Sequence, residues 1–166
     1  MRRPIITTRV EPSAFDELTF FREISRSGSR ALLIGRRALV FLGLPVLTAD
    51  YDFWIAIDDI DAFNAVGAQF NLLPTRTPED ARQRGRYVLQ NDERVDVLVA
   101  RSVPTVDGQT LDFETLWSRR RTVSIAGILE VYIPAIDDLI LTKQVAPRPK
   151  DLDDIRLLRI LREHTP

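Results

Sequence analysis

The stretch Asp50-Tyr51-Asp52-Phe53-Trp54-Ile55-Ala56-Ile57 decides how the chain is read. It is rich in aromatic and β-branched residues and predicts a strand over 51–57. Along a strand successive side chains point to opposite faces. Tyr51, Phe53 and Ile55 therefore share one face, as residues covering a core do, while Asp50 and Asp52 share the other. Two neighbouring carboxylates are costly, because each disfavours ionisation of the other. A divalent cation removes that cost, and magnesium takes a few carboxylates together with water and phosphate oxygens.

A third acid stands in a second predicted strand, over 94–100. There Val95, Val97 and Val99 alternate with Asp96 and Leu98, so Asp96 faces away from three valines. A charged residue inside an apolar strand calls for a partner. A metal site shared by Asp50, Asp52 and Asp96 supplies one, with magnesium expected and manganese as the alternative. Taken singly, each acid also reads as a solvated strand residue. The three together favour the metal reading.

Outward from these strands the pattern alternates. Ser13, with Asp16 three residues on, reads as the cap of a helix carrying Phe15, Leu18, Phe21 and Ile24 and stopped by Gly28. Residues 31–34 form a short apolar strand, followed by Gly35 and a helix over 36–42 that ends at Gly43 and Pro45. Asp58-Asp59 opens a helix reaching about Phe70. Pro74 and Pro78 mark a loop, and 79–84 a helical turn. Residues 87–89 and 94–100 flank Asn91-Asp92-Glu93 as a hairpin. A polar stretch around Gly108 follows. Residues 121–125 and 129–133 make a second hairpin about Ala126-Gly127. Pro134 opens a helix to about Val145, Pro147 and Pro149 break it, and 151–162 form a last amphipathic helix. The expected class is α+β: a mixed sheet flanked by helices, with helices at the C-terminal end, in one domain over 1–166.

Composition narrows the chemistry. The 166 residues contain no cysteine and one histidine, His164. Disulfides, thiolate metal sites and cysteine nucleophiles are excluded, and a Ser-His-Asp triad is disfavoured. Carboxylates and cations must therefore do any chemistry. A formal net charge of −1 gives no global basic field directed at nucleic acid. No apolar run approaches the ~20 residues of a membrane span, and the first residues lack a signal-peptide pattern. The expected setting is cytoplasmic, with no membrane partner.

The ordered set Leu33-Ile34-Gly35-Arg36, then Asp50-Tyr51-Asp52-Phe53, then Asp96 resembles the signature of the nucleotidyltransferase superfamily. Gly43, Pro45 and Thr48 before Asp50 look like the minimal bacterial members related to abortive-infection toxins. The tail from Ile136 through Lys143 and from Lys150 to Ile155 is similar to theirs. The resemblance spans roughly residues 30–160. It implies a nucleotidyltransferase-like fold and transfer of a nucleoside monophosphate from an NTP to an acceptor, either RNA or protein. For a toxin it also implies a cognate antitoxin. Asp50, Asp52 and Asp96 would hold magnesium and act in catalysis, and Gly35, Arg36, Thr48 and Lys143 would contact the nucleotide.

Arg36 departs from that signature, which has glycine or serine there. A long side chain at this position either obstructs the nucleotide or binds a phosphate directly. Lys143 reads either as a triphosphate ligand or as a surface lysine near a helix end. Lys150 and Asp154 read as a weak surface pair, and Arg119-Arg120-Arg121 as a solvated basic face or an acceptor contact. Trp54 and Trp117 read as core aromatics. The competing functions are a catalytically degenerate binding protein, marked by Arg36, and a phosphate-ester hydrolase.

Overall fold

The computed structural model describes residues 15–166. Helix α1 (Glu17–Arg26) comes first and is capped by Asp16, whose carboxylate accepts from the amides of Leu18 and Thr19. The expected cap, Ser13, lies outside the described residues. Strand β1 (Ala31–Ile34) passes directly into α2 (Gly35–Phe41). Strand β2 (Tyr51–Ile55) is two residues shorter than expected, because Ile57–Asp59 winds into a 3-10 turn ahead of α3 (Ile60–Gln69).

Leu73–Pro74, expected as loop, forms β3. Proline lacks an N–H and is tolerated only where a strand has a free edge, which is where β3 lies. Helix α4 (Pro78–Arg84) has proline in its first turn and Thr77 as cap. Strands β4 (Arg86–Gln90) and β5 (Arg94–Leu98) form the expected hairpin. The stretch read as a polar connection instead holds β6 (Ser102–Pro104), β7 (Thr110–Asp112) and α5 (Phe113–Ser118). Asp112 caps α5 by accepting from the Thr115 amide at 3.0 Å. Strands β8 (Arg121–Ile125) and β9 (Leu129–Ile133) pair as expected. Helix α6 (Ile136–Thr142) is shorter than expected, and α7 (Pro149–Glu163) starts two residues earlier than expected, at a proline read only as breaking the preceding helix. At the first helical position the missing N–H costs nothing.

The main sheet has the order β1-β2-β5-β4-β3; β2 and β5 are parallel and the other pairs antiparallel. The α+β class and the mixed sheet flanked by helices are thus observed. One sheet face, with Tyr51, Phe53, Ile55, Val95 and Val97, is buried against Phe20, Phe21 and Phe63 in the larger core. Each such side chain contributes roughly 1.5–3 kcal/mol of burial. The opposite face is divided. Leu32 and Trp54 pack under Leu111, Phe113 and Leu116, and the Trp54 indole N–H donates to the Ala100 carbonyl at 2.8 Å. The rest of that face, around Asp52 and Asp96, opens as a cleft.

Candidate active site

Strand register brings the acids together. On the parallel pair β2–β5, Asp52 stands directly opposite Asp96, and directly paired residues project from the same face. Asp50 precedes β2, and its amide donates to the Thr48 hydroxyl at 3.1 Å. All three acids line a cleft of about 770 Å³, which Thr142, Lys143, Arg148 and Asp151 line as well.

Gly35 is fitted against Asp52. Its φ is +68°, a conformation that side chains other than glycine rarely adopt, and a Cβ there would lie 2.9 Å from the Asp52 carboxyl carbon. Burial of Asp52 and the nearby charges of Asp96 and Asp50 push its carboxyl up to about 6, although Lys143 and Arg148 act in the opposite direction. Among the described residues neither Asp50 nor Asp52 has an ion-pair partner, whereas Asp96 does. Arg94 grips both Asp96 oxygens at 2.9 and 3.0 Å.

The donors are all carboxylate oxygens, which suit a hard divalent cation such as magnesium. Among the described residues no three acids are drawn into a metal cluster, and Asp96 is engaged by Arg94. The chemistry of the set fits magnesium, provided Asp96 exchanges its arginine for the ion.

Lys143 ends α6 and is not a surface lysine: its side chain is 7% exposed, with Nζ 3.0 Å from Asp154 Oδ2 and 3.7 Å from Asp151 Oδ1. It lines the cleft. Arg36 does not. Its Nε donates to Asp154 Oδ2 at 3.1 Å, a second nitrogen lies 3.1 Å from Oδ1, and a third reaches the Leu47 carbonyl at 3.4 Å. It therefore does not line the cleft. Thr48 is also absent from the cleft wall; its hydroxyl holds the Asp50 amide and its carbonyl accepts from Arg37 at 3.1 Å. The expected surface pair of Lys150 and Asp154 is replaced by a fully buried Asp154 shared between Arg36 and Lys143.

The basic triplet is largely structural. Arg119 clasps the buried Asp138 at 2.6 and 2.7 Å. Arg120 lies 4.0 Å from the Trp117 ring centre and 4.7 Å from that of Tyr132. The sequence reading missed Arg76, Arg86, Arg94 and Arg148, which all line the cleft. For Arg94 a signal existed. It stands two residues before Asp96 on a strand, the same spacing that grouped Asp50 with Asp52.

These elements define a nucleotidyltransferase fold, and comparison with solved structures bears that out. A candidate nucleotidyltransferase from Thermotoga maritima superposes with a TM-score of 0.56 at 14% identity, over 89% of this chain and 88% of that one. The solution structure of the antibiotic-resistance factor ANT(2'')-Ia gives 0.59 at 15% identity, over 87% and 83%. The crystal structure of ANT(2'')-Ia with adenylyl-2''-tobramycin gives 0.58 at 14% identity, over 86% and 84%. At such identities the likeness is one of fold. No protein-family profile and no curated protein sequence matches the chain. The narrower resemblance to abortive-infection toxins is carried by the sequence motifs alone. No helix among the described residues is long and apolar enough to cross a membrane.

Proposed function

We propose that this chain is a magnesium-dependent nucleotidyltransferase that moves a nucleoside monophosphate from an NTP to an acceptor and releases pyrophosphate. One observation carries the reading. Asp52, an acid without an ion-pair partner among the described residues, stands opposite Asp96 and against Gly35, in a cleft that Lys143 and Arg148 also line. Asp50, Asp52 and Asp96 would hold the metal, which when bound supplies charge neutralisation at the transferring phosphorus.

The chain's own residues do the rest. Gly35 leaves the space into which the Asp52 carboxylate is fitted. Lys143 and Arg148, which line the same cleft, attract and orient the polyphosphate. Asp96, once released from Arg94, accepts the proton of the acceptor hydroxyl. The resemblance to abortive-infection toxins supports an RNA or protein acceptor and, with it, a cognate antitoxin. The degenerate-protein alternative relied on Arg36 as an obstruction, and its guanidinium lies on Asp154 instead.

The test uses NTPs labelled on the α-phosphate, incubated with the protein, magnesium, total RNA and total protein. Label should appear on one acceptor class and disappear with Asp52→Asn. Release of inorganic phosphate from a γ-labelled NTP, with no α-label on any acceptor, would overturn the reading in favour of hydrolysis.

A further inference from the structure

Two carboxylates near the start of α7 are buried: Asp151, with its side chain 5% exposed, and Asp154, at 0%. Three cations surround them. Arg36 lies 3.1 Å from each Asp154 oxygen. Arg148 reaches Asp151 Oδ2 through Nε at 3.3 Å and through its own amide at 2.7 Å. Lys143 stands between them, 3.0 Å from Asp154 and 3.7 Å from Asp151. Each arginine thus has one carboxylate, and Lys143 has a share in both. Three positive charges on two negative ones leave a surplus of one.

We infer that Arg36 is a positioning residue: by neutralising buried Asp154 without itself lining the cleft, it leaves Lys143 with an uncompensated charge to offer to a polyphosphate. This rests on the nucleotide reading of the cleft and extends it to a residue that lines no part of it. The physical basis is the cost of a buried charge without a partner. With Arg36 present, Lys143 can turn its ammonium to an incoming anion while Asp154 remains paired. Without Arg36, Asp154 depends on Lys143, and moving the lysine would strand a buried carboxylate. Asp154 is suited to the arrangement: burial pushes its carboxyl up, but the hydrogen bonds from Arg36 and Lys143 outweigh that and hold it below its ordinary value. The pairing also joins α2 to α7 across 118 residues of sequence.

The account makes a prediction that a purely structural role for Arg36 does not. Removing Arg36 should weaken anion binding, and removing Asp154 as well should restore it, because the surplus charge returns. The probe is inorganic tripolyphosphate without metal, titrated calorimetrically into wild type, Arg36→Met, Arg36→Lys and the Arg36→Met/Asp154→Asn double variant. Arg36→Met should bind about tenfold or more weakly, the loss expected when one charge-assisted contact is withdrawn. Arg36→Lys and the double variant should stay within about threefold of wild type. The inference is overturned if wild type does not bind the probe, if Arg36→Met binds as well as wild type, or if the double variant is as weak as Arg36→Met. Should thermal melting show that the double variant does not fold, the contrast between Arg36→Lys and Arg36→Met decides. A protein that follows this order yet transfers no label from an NTP keeps the charge arrangement and loses the nucleotidyltransferase reading.

Discussion

Two groups of acids differ in their surroundings: Asp52 with Asp96 on the sheet, and Asp151 with Asp154 at the start of α7. Asp154 is fully buried and paired with Arg36 and Lys143, which hold its carboxyl below the ordinary value against the effect of burial. Asp52 is partly buried, has like charges for neighbours, and is pushed up to about 6. The fold supplies cations to the acids that tie α7 to α2 and α6. It supplies none to Asp50 and Asp52 among the described residues, and only a largely exposed arginine to Asp96. Acids of the first kind hold elements together. Acids of the second kind leave charge unneutralised on the fold, and under the proposed function they are the ones that take the cation.

The comparison breaks most easily at Asp154. Asp154→Ala leaves Arg36 and Lys143 facing each other without their shared acceptor, and removing one partner of a buried pair costs about 3–5 kcal/mol. Urea denaturation should show that loss. Asp52→Asn should act with the opposite sign. A carboxyl raised from 3.8 to about 6 on folding favours the folded state while protonated, and this contribution is lost as pH rises from about 4 through 6. At pH 7 the ionised form burdens the metal-free protein, so Asp52→Asn should raise stability by on the order of 2–3 kcal/mol. The gain should shrink as pH falls and vanish below about 4. For Asp154, whose carboxyl is depressed, the stabilising contribution is present at pH 7 and lost only as pH falls through its lowered value. If both substitutions destabilise at pH 7, the two acid groups do not differ in the way described. The smallest expected effect is at Arg94. Its pair with Asp96 is exposed and is worth no more than about 1 kcal/mol. Arg94→Met should therefore leave the melting temperature nearly unchanged while tightening manganese binding measured by calorimetry, because Asp96 is then free.

The parts legible in the sequence were those governed by local periodicity. Alternation over 51–55 and 94–98 gave both strands, their core faces and the shared face of the acids, because period two leaves no freedom once one face is apolar. The parts that were not legible depend on contacts distant in sequence or on short elements. Arg36 looked like a phosphate ligand or a lesion because its partner, Asp154, lies 118 residues away. Asp154 looked like a surface residue because helical spacing offered it Lys150. Residues 102–118 read as a connection because strands of three residues carry too little pattern, although they supply the cover over Trp54. Pro74 and Pro149 read as interruptions in the sequence, whereas a free sheet edge and a first helical turn are positions that accept proline.

The central claim is that Asp50, Asp52 and Asp96 are held without sufficient countercharge in order to take a metal together with a nucleotide. Calorimetric titration of a non-hydrolysable NTP, with and without magnesium, into wild type and Asp52→Asn tests it most directly. The account predicts tight binding to wild type that depends on magnesium, and an Asp52→Asn variant that folds at least as stably yet loses the magnesium-dependent part. Equal affinity with and without magnesium, or a magnesium dependence that survives in Asp52→Asn, would contradict it.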